Sequence, residues 1–210
     1  MFEAILFDND GVLVDTERLY YAATRQVLAG IGVDLDEAAY VELFLRQGVG
    51  AWHLAEERGL SPAAVADRRA ARDRRYLELL GAEDVTMPGV TDLVAALARR
   101  FRLAVVTSSH HEPFARTHAR TGLLAHFEFA LTRGDYLHSK PAPEPYLRAI
   151  ERLRLPADRC LVIEDSERGL RAAKAAGLTC WIIPSPLTAA SDFIAADAVF
   201  GTLADAVAHL

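Results

Sequence analysis

Cysteine is scarce in this chain. Its 210 residues hold two, Cys160 and Cys180, far apart and in no metal-binding or redox spacing. Seven histidines without paired spacing make no zinc site either. Long apolar runs are missing: none approaches the roughly 18 residues that cross a bilayer. The opening stretch Met1–Asp10 has no basic segment and no small-residue cleavage site, so no secretory signal is expected. Positive charge is in deficit, with 23 Lys and Arg against 29 Asp and Glu and a net charge of −6. A broad phosphate-binding surface for nucleic acid is therefore disfavoured. Repeats and low-complexity tracts are absent as well. These absences leave a soluble, reduced, cytoplasmic protein, expected as a monomer, with neither nucleic acid nor membrane as partner.

The length suits one domain, or one with a small second. Folding at that size buries roughly 70% of the unfolded surface, enough for a core without staples. Short apolar runs rich in branched residues read as strands: Ala4–Phe7, Leu103–Val106, Leu161–Ile163, Trp181–Ile183 and the weaker Ala198–Phe200. Phe127–Ala130 is a further candidate. Helical periods lie between them, as in Val90, Leu93, Val94 and Leu97, Pro145–Leu153, and Leu170–Ala176 with Gly177 as its C-cap. Strands buried on both faces and alternating with helices predict an α/β fold, a doubly wound parallel sheet.

One region breaks the alternation. From Asp15 onward the pattern is helical, with Glu17–Ala29, Asp36–Arg46, Ala51–Arg58 and Pro62–Leu80 as candidates, the last opened by Ser61 and Pro62. Glycines 30, 32, 48, 50, 59 and 81 punctuate it. The expected organisation is a core of residues 1–14 and 83–210 with a helical insert at 15–82. The arginine-rich run Asp67–Arg75 reads as a solvated helix face with local ion pairs.

The chemistry begins at Phe7-Asp8-Asn9-Asp10-Gly11. Residues i and i+2 of an extended chain point the same way, so Asp8 and Asp10 can converge on one ligand while Asn9 points away. Two close carboxylates repel unless a cation sits between them, which suits a hard divalent ion beside a nucleophile and a proton carrier. An acidic loop capping the next helix is the alternative. Three more segments place polar groups at strand ends or in a stiffened loop. They are Thr107-Ser108-Ser109, Ser139-Lys140-Pro141-Ala142-Pro143, and Glu164-Asp165-Ser166. Doubly wound folds bind ligands beyond the carboxyl ends of their strands. Lys140 beside such acidic ends reads as the counter-charge of a phosphoryl group.

These four segments, in this order, resemble the haloacid dehalogenase-like superfamily, with its Asp-x-Asp-Gly, strand-end Thr or Ser, Lys-Pro-x-Pro, and acidic pair before Ser-x-x-Gly. Here the last is Glu164-Asp165-Ser166-Glu167-Arg168-Gly169. The resemblance implies a Rossmann-like core with an inserted helical cap. It implies that Asp8 is the nucleophile that becomes an aspartyl-phosphate, and that Asp10 is the general acid and then base. Mg²⁺ would be held by Asp8, the main-chain carbonyl of Asp10 and Asp165, with Glu164 in or beside that shell. Thr107, Ser108 and Lys140 would bind the phosphoryl oxygens. Phosphoryl transfer needs alignment and charge neutralisation above all, and these residue types supply both.

Dehalogenases of this superfamily lack the second aspartate, so Asp10 favours hydrolysis of a small phosphorylated metabolite, a sugar phosphate or similar. The alternative is a phosphomutase of the β-phosphoglucomutase type. Mutases of that kind use a cap arginine and a histidine, where this chain has Gln47-Gly48-Val49-Gly50-Ala51-Trp52-His53 and Tyr20. His110 and His111 read as a solvent-facing helix start, and His53 as a helix-surface residue. Tyr40, Phe44 and Trp52 read as the insert's core, and both cysteines as small buried hydrophobes.

Overall fold

The computed structural model describes all 210 residues. Its centre is a six-stranded sheet of β1 (Ala4–Phe7), β2 (Arg102–His110), β3 (Phe129–Arg133), β4 (Cys160–Glu164), β5 (Thr179–Ile182) and β6 (Ala198–Val199). The strand order is β3-β2-β1-β4-β5-β6, and every pairing is parallel. This is the doubly wound sheet that the alternating pattern predicts. β1 and β4 are buried along their whole length, as near-continuous apolar runs require. In register, Phe7 stands opposite Val105 on one side and Ile163 on the other. The residues after Phe7, Val105 and Ile163 therefore stand at one level along the three strands.

Around it lie α5 (Val90–Leu97), α6 (His111–His118), α7 (Glu144–Leu153), α8 (Glu167–Ala175) and α9 (Leu203–Val207), preceded along the chain by four further helices. One face of the sheet packs Leu6, Val106, Val162 and Cys180 against Tyr146 and Ala149 of α7 and Leu170 and Ala173 of α8. Both cysteines are wholly buried, and burial pushes each thiol above its ordinary pKa. They act as small apolar side chains.

The chain divides into two compact units, a core of Met1–Asp15 with Val85–Leu210 and a helical unit of Thr16–Asp84. In the helical unit α1 (Glu17–Ala29), α3 (His53–Glu57) and α4 (Pro62–Ala82) lie where helical periods occur. Ser61 caps α4 by accepting from the N–H of Ala64 at 3.3 Å, with Pro62 at its first position. The single helix predicted over Asp36–Arg46 is instead α2 (Glu37–Tyr40) running into a wider π-helical segment, Val41–Arg46. Periodicity alone does not separate the two.

The arginine run is only partly the solvated face its charge suggests. Arg68, Arg69 and Arg74 are exposed, but Arg72 is buried. Its guanidinium lies 4.4 Å from the ring centroid of Tyr20 and donates to that phenol's oxygen, while Nε reaches Asp73 at 2.7 Å. A helix face four residues from Tyr76 and eight from Leu80 turns inward at position 72, and that spacing outweighs the local density of charge. Tyr40 and Trp52 are buried as read, and His53, His110 and His111 are exposed.

Two departures in the core unit follow from local chemistry. β2 continues through Thr107, Ser108 and Ser109 to His110, four residues past the apolar run, because strand pairing does not require apolar side chains. β3 begins at Phe129, two residues later than the sequence pattern suggests.

Candidate active site

Four segments meet at the carboxyl ends of β1, β2 and β4. Asp8 leaves β1, and its N–H donates to the Ile163 carbonyl at 2.9 Å. The chain then turns sharply. The Asn9 carbonyl accepts from Leu13 and Val14, and Gly11 takes φ +84°, a left-handed conformation open to glycine at little cost. A Cβ at Gly11 would lie 2.2 Å from Asp165 Oδ2, so the glycine also leaves room for that carboxylate.

Lys140 is the centre of the site. Its ammonium is 2.6 Å from Asp8 Oδ1, 2.6 Å from Glu164 Oε1 and 2.7 Å from the Val106 carbonyl. Only 4% of the residue is exposed. Burial alone would depress the ammonium's pKa, but the charges and hydrogen bonds of Asp8 and Glu164 hold it above the ordinary lysine value. Arg168 donates to the Lys140 carbonyl at 2.6 Å, and Glu144 accepts from the N–H groups of Leu137 and His138, fastening the loop on either side. Those two N–H bonds push the Glu144 carboxyl down to about 2.

Glu164 is locked. Oε1 accepts from Lys140 and from the Tyr146 hydroxyl at 2.8 Å; Oε2 accepts from the Ser166 hydroxyl at 2.9 Å and from the N–H groups of Asp165 and Ser166. Gly169, in the first turn of α8, makes the space. A Cβ there would stand 1.8 Å from Glu164 Oε1. Gly169→Ala is therefore expected to cost about 3 kcal/mol or more, because a wholly buried carboxylate with five donors cannot swing aside. Gly177→Ala, at φ +74° with open space around it, should cost only about 1–2 kcal/mol. Urea titration of the two variants checks the ordering.

Asp8, Glu164 and Asp165 form one buried cluster, with a ligand oxygen of each within 4.8 Å of the others. With all three carboxylates ionised, one ammonium leaves an excess of two negative charges, the charge of one divalent ion. Burial, then the neighbouring Glu164 and Asp10, push the Asp8 carboxyl up to about 8 in spite of Lys140. An all-oxygen, electron-rich set of this kind fits a hard cation.

Asp10 is held by the hydroxyls of β2. Its Oδ2 accepts from Thr107 Oγ1 at 3.1 Å and Ser109 Oγ at 2.8 Å. The structure thus brings Asp8, Lys140, Glu164 and Asp165 together and keeps the Asp10 carboxylate to one side with Thr107. Ser108 bonds to Ser139 at 3.1 Å. Asn9 points away from Asp8, as alternation requires, and receives His118 Nε2 at 2.7 Å. Tyr146 and His118 are residues to which the sequence reading gives no role, and Ser109 and Gly169 stand in its motifs without a role of their own. Ser109 carried a signal, standing two residues beyond Thr107 on the same strand face.

The haloacid dehalogenase-like hydrolase family model matches residues 2–177. Protein CbbY of Cereibacter sphaeroides is 36% identical over 216 residues, covering 98% of this chain and 94% of the relative. The fructose-1-phosphate phosphatase YqaB of Escherichia coli is 29% identical, covering 84% and 94%. A crystal structure of a CbbY mutant from Rhodobacter sphaeroides, in complex with xylulose-(1,5)bisphosphate, superposes with TM-score 0.78 at 32% identity, covering 97% and 98%. The chain belongs to the haloacid dehalogenase-like hydrolases. Within that family it is a phosphoric monoester hydrolase. No helix is long and apolar enough to cross a membrane.

Proposed function

We propose that this protein hydrolyses a small phosphorylated sugar or polyol in the cytoplasm through an aspartyl-phosphate on Asp8. The observation that carries the reading is the Lys140 ammonium 2.6 Å from both Asp8 and Glu164, with the Asp10 carboxylate held separately by two hydroxyls. That division suits two roles. Asp8 attacks phosphorus; the bond from phosphorus to the leaving oxygen breaks as that oxygen takes a proton from Asp10. Water then attacks the same phosphorus, gives its proton to Asp10, and the phosphorus–oxygen bond to Asp8 breaks to release inorganic phosphate. Lys140 and Thr107 neutralise and orient the phosphoryl oxygens, and Ser108 lines the same edge.

Mg²⁺ would be held by Asp8, Asp165 and the main-chain carbonyl of Asp10, where it supplies charge neutralisation for an anionic nucleophile meeting an anionic ester. Glu164 adds to the acidic field, but its five donors make it foremost the anchor of Lys140. The helical unit stands in the sequence where the family carries its cap.

Relatives named for fructose 1-phosphate and glycerol 3-phosphate support a sugar or polyol ester. The test is phosphate release with Mg²⁺ from fructose 1-phosphate, glycerol 3-phosphate and xylulose 1,5-bisphosphate, each as sole substrate. Release concentrated on one or two esters is expected. Absence of release from all, together with conversion of β-glucose 1-phosphate under a bisphosphate primer, would replace this reading by the mutase.

A further inference from the structure

We propose that His118 and Asn9 form a positioning relay that fixes the Asp10 carboxylate for proton transfer to the leaving oxygen. The proposal rests on the phosphatase reading above, since that reading gives Asp10 the proton. Four hydrogen bonds run in series from a loop to the site. The Leu123 N–H donates to Thr121 Oγ1 at 3.3 Å, and that oxygen lies 3.0 Å from His118 Nδ1. His118 Nε2 lies 2.7 Å from Asn9 Oδ1, and Asn9 Nδ2 donates to Asp10 Oδ1 at 3.2 Å.

One end gives this chain its direction: Asn9 turns its NH₂ toward Asp10, and its carbonyl therefore faces His118. The ring then carries its proton on Nε2 and accepts from the Thr121 hydroxyl at Nδ1. Thr121 Oγ1 serves two of the four links, accepting from Leu123 and donating to His118, and with the amide so turned no other neutral tautomer satisfies all four. Burial favours the neutral ring this requires, pushing the His118 pKa down to about 4.

The other carboxylate oxygen of Asp10 is bound by Thr107 and Ser109. Donors from β1's end and from β2 thus hold Asp10 at both oxygens, and the plane of the carboxylate is set by groups that do not touch it through solvent. Asn9 is 1% exposed and His118 6% exposed, so a side-chain amide and an imidazole occupy space that apolar residues would fill at less desolvation cost. Neither meets substrate; each acts through Asp10. Catalytic geometry of this kind tolerates only small errors of position and angle.

Leaving-group chemistry separates this role from a structural one. An alkoxide needs a proton as it departs, whereas a nitrophenolate leaves without one. The experiment compares kcat/KM for fructose 1-phosphate, or whichever alkyl ester is turned over fastest, with kcat/KM for 4-nitrophenyl phosphate. In His118→Leu the alkyl-to-aryl ratio is expected to fall about tenfold, in the range of lost outer-sphere positioning partners. The double variant Asn9→Leu/His118→Leu removes both partners of the buried bond together with the amide donor to Asp10, and should show at least the same fall. His118→Gln, which keeps a donor toward Asn9, should recover most of the ratio.

An equal loss on both esters, or an unchanged ratio in both Leu variants, overturns the relay. A Gln variant as impaired as Leu likewise counts against the donor chain. Wild-type protein inactive on both esters would instead refute the phosphatase reading, so the two failures are told apart.

Discussion

Asp8→Asn is expected to lower phosphate release by about 10⁴-fold or more while the fold persists. The amide oxygen can still accept from Lys140, and the residue's volume is unchanged, so the packing at the end of β1 has no reason to fail. What is lost is the lone pair of an anionic oxygen that can bond to phosphorus. A variant within tenfold of wild type would rule out Asp8 as the group that takes the phosphoryl.

The same substitution has a thermodynamic signature of opposite sign. The folded state holds the Asp8 carboxyl near 8 where an unfolded chain holds it near 3.8. Between those values the native state binds the extra proton, so stability falls as pH rises from about 4 to 8. In a chelating buffer at pH 8, Asp8→Asn should therefore melt at a higher temperature than wild type. Millimolar Mg²⁺ should narrow that gap by stabilising wild type more, as binding to the native state alone requires. Thermal melts with and without the ion give both comparisons.

Lys140→Ala is expected to be the most destabilising substitution in the core unit, by about 3–5 kcal/mol. The ammonium is the single cation among Asp8, Glu164 and the nearby Asp165, and its removal strands buried carboxylates without their donor. Glu164 would retain Tyr146, Ser166 and two backbone N–H groups, but its charge would lose its counter-charge. Adding Glu164→Gln to Lys140→Ala should therefore return part of the loss, a coupling of about 1 kcal/mol or more in a double-mutant cycle. A single variant within 1 kcal/mol of wild type by urea denaturation would show that the ion pairs do not carry the site.

How much of this was readable in the sequence differs by residue. Strands β1 and β4 announce themselves as apolar runs closed by acids, because a strand buried on both faces permits little else. Asp8, Asp10, Lys140 and Asp165 stand in short motifs whose spacing the backbone enforces. Arg72 was not legible: five arginines in nine residues look solvated until the helix phase of Tyr76 and Leu80 is known. Gly169 and Glu164 form a pair whose meaning lies in the space a Cβ at position 169 would take from the carboxylate, and no one-dimensional pattern encodes a close approach between a strand end and the next helix. The link from His118 to Asn9 spans 109 positions and joins residue types that are individually unremarked.

The place of β1 in the middle of the sheet also bears on how the chain is made. β1 is synthesised first, yet one of its two flanking partners, β4, is pairing-competent only roughly 155 residues later. At a translation rate of about 5–20 residues per second that is a wait on the order of ten seconds. The helical unit, contiguous in sequence from Thr16 to Asp84, emerges in that interval with only local partners to find. During it, an unpaired apolar strand lies ahead of the helical unit on the growing chain, and the insert lengthens the time for which Ala4–Phe7 waits before the sheet can close.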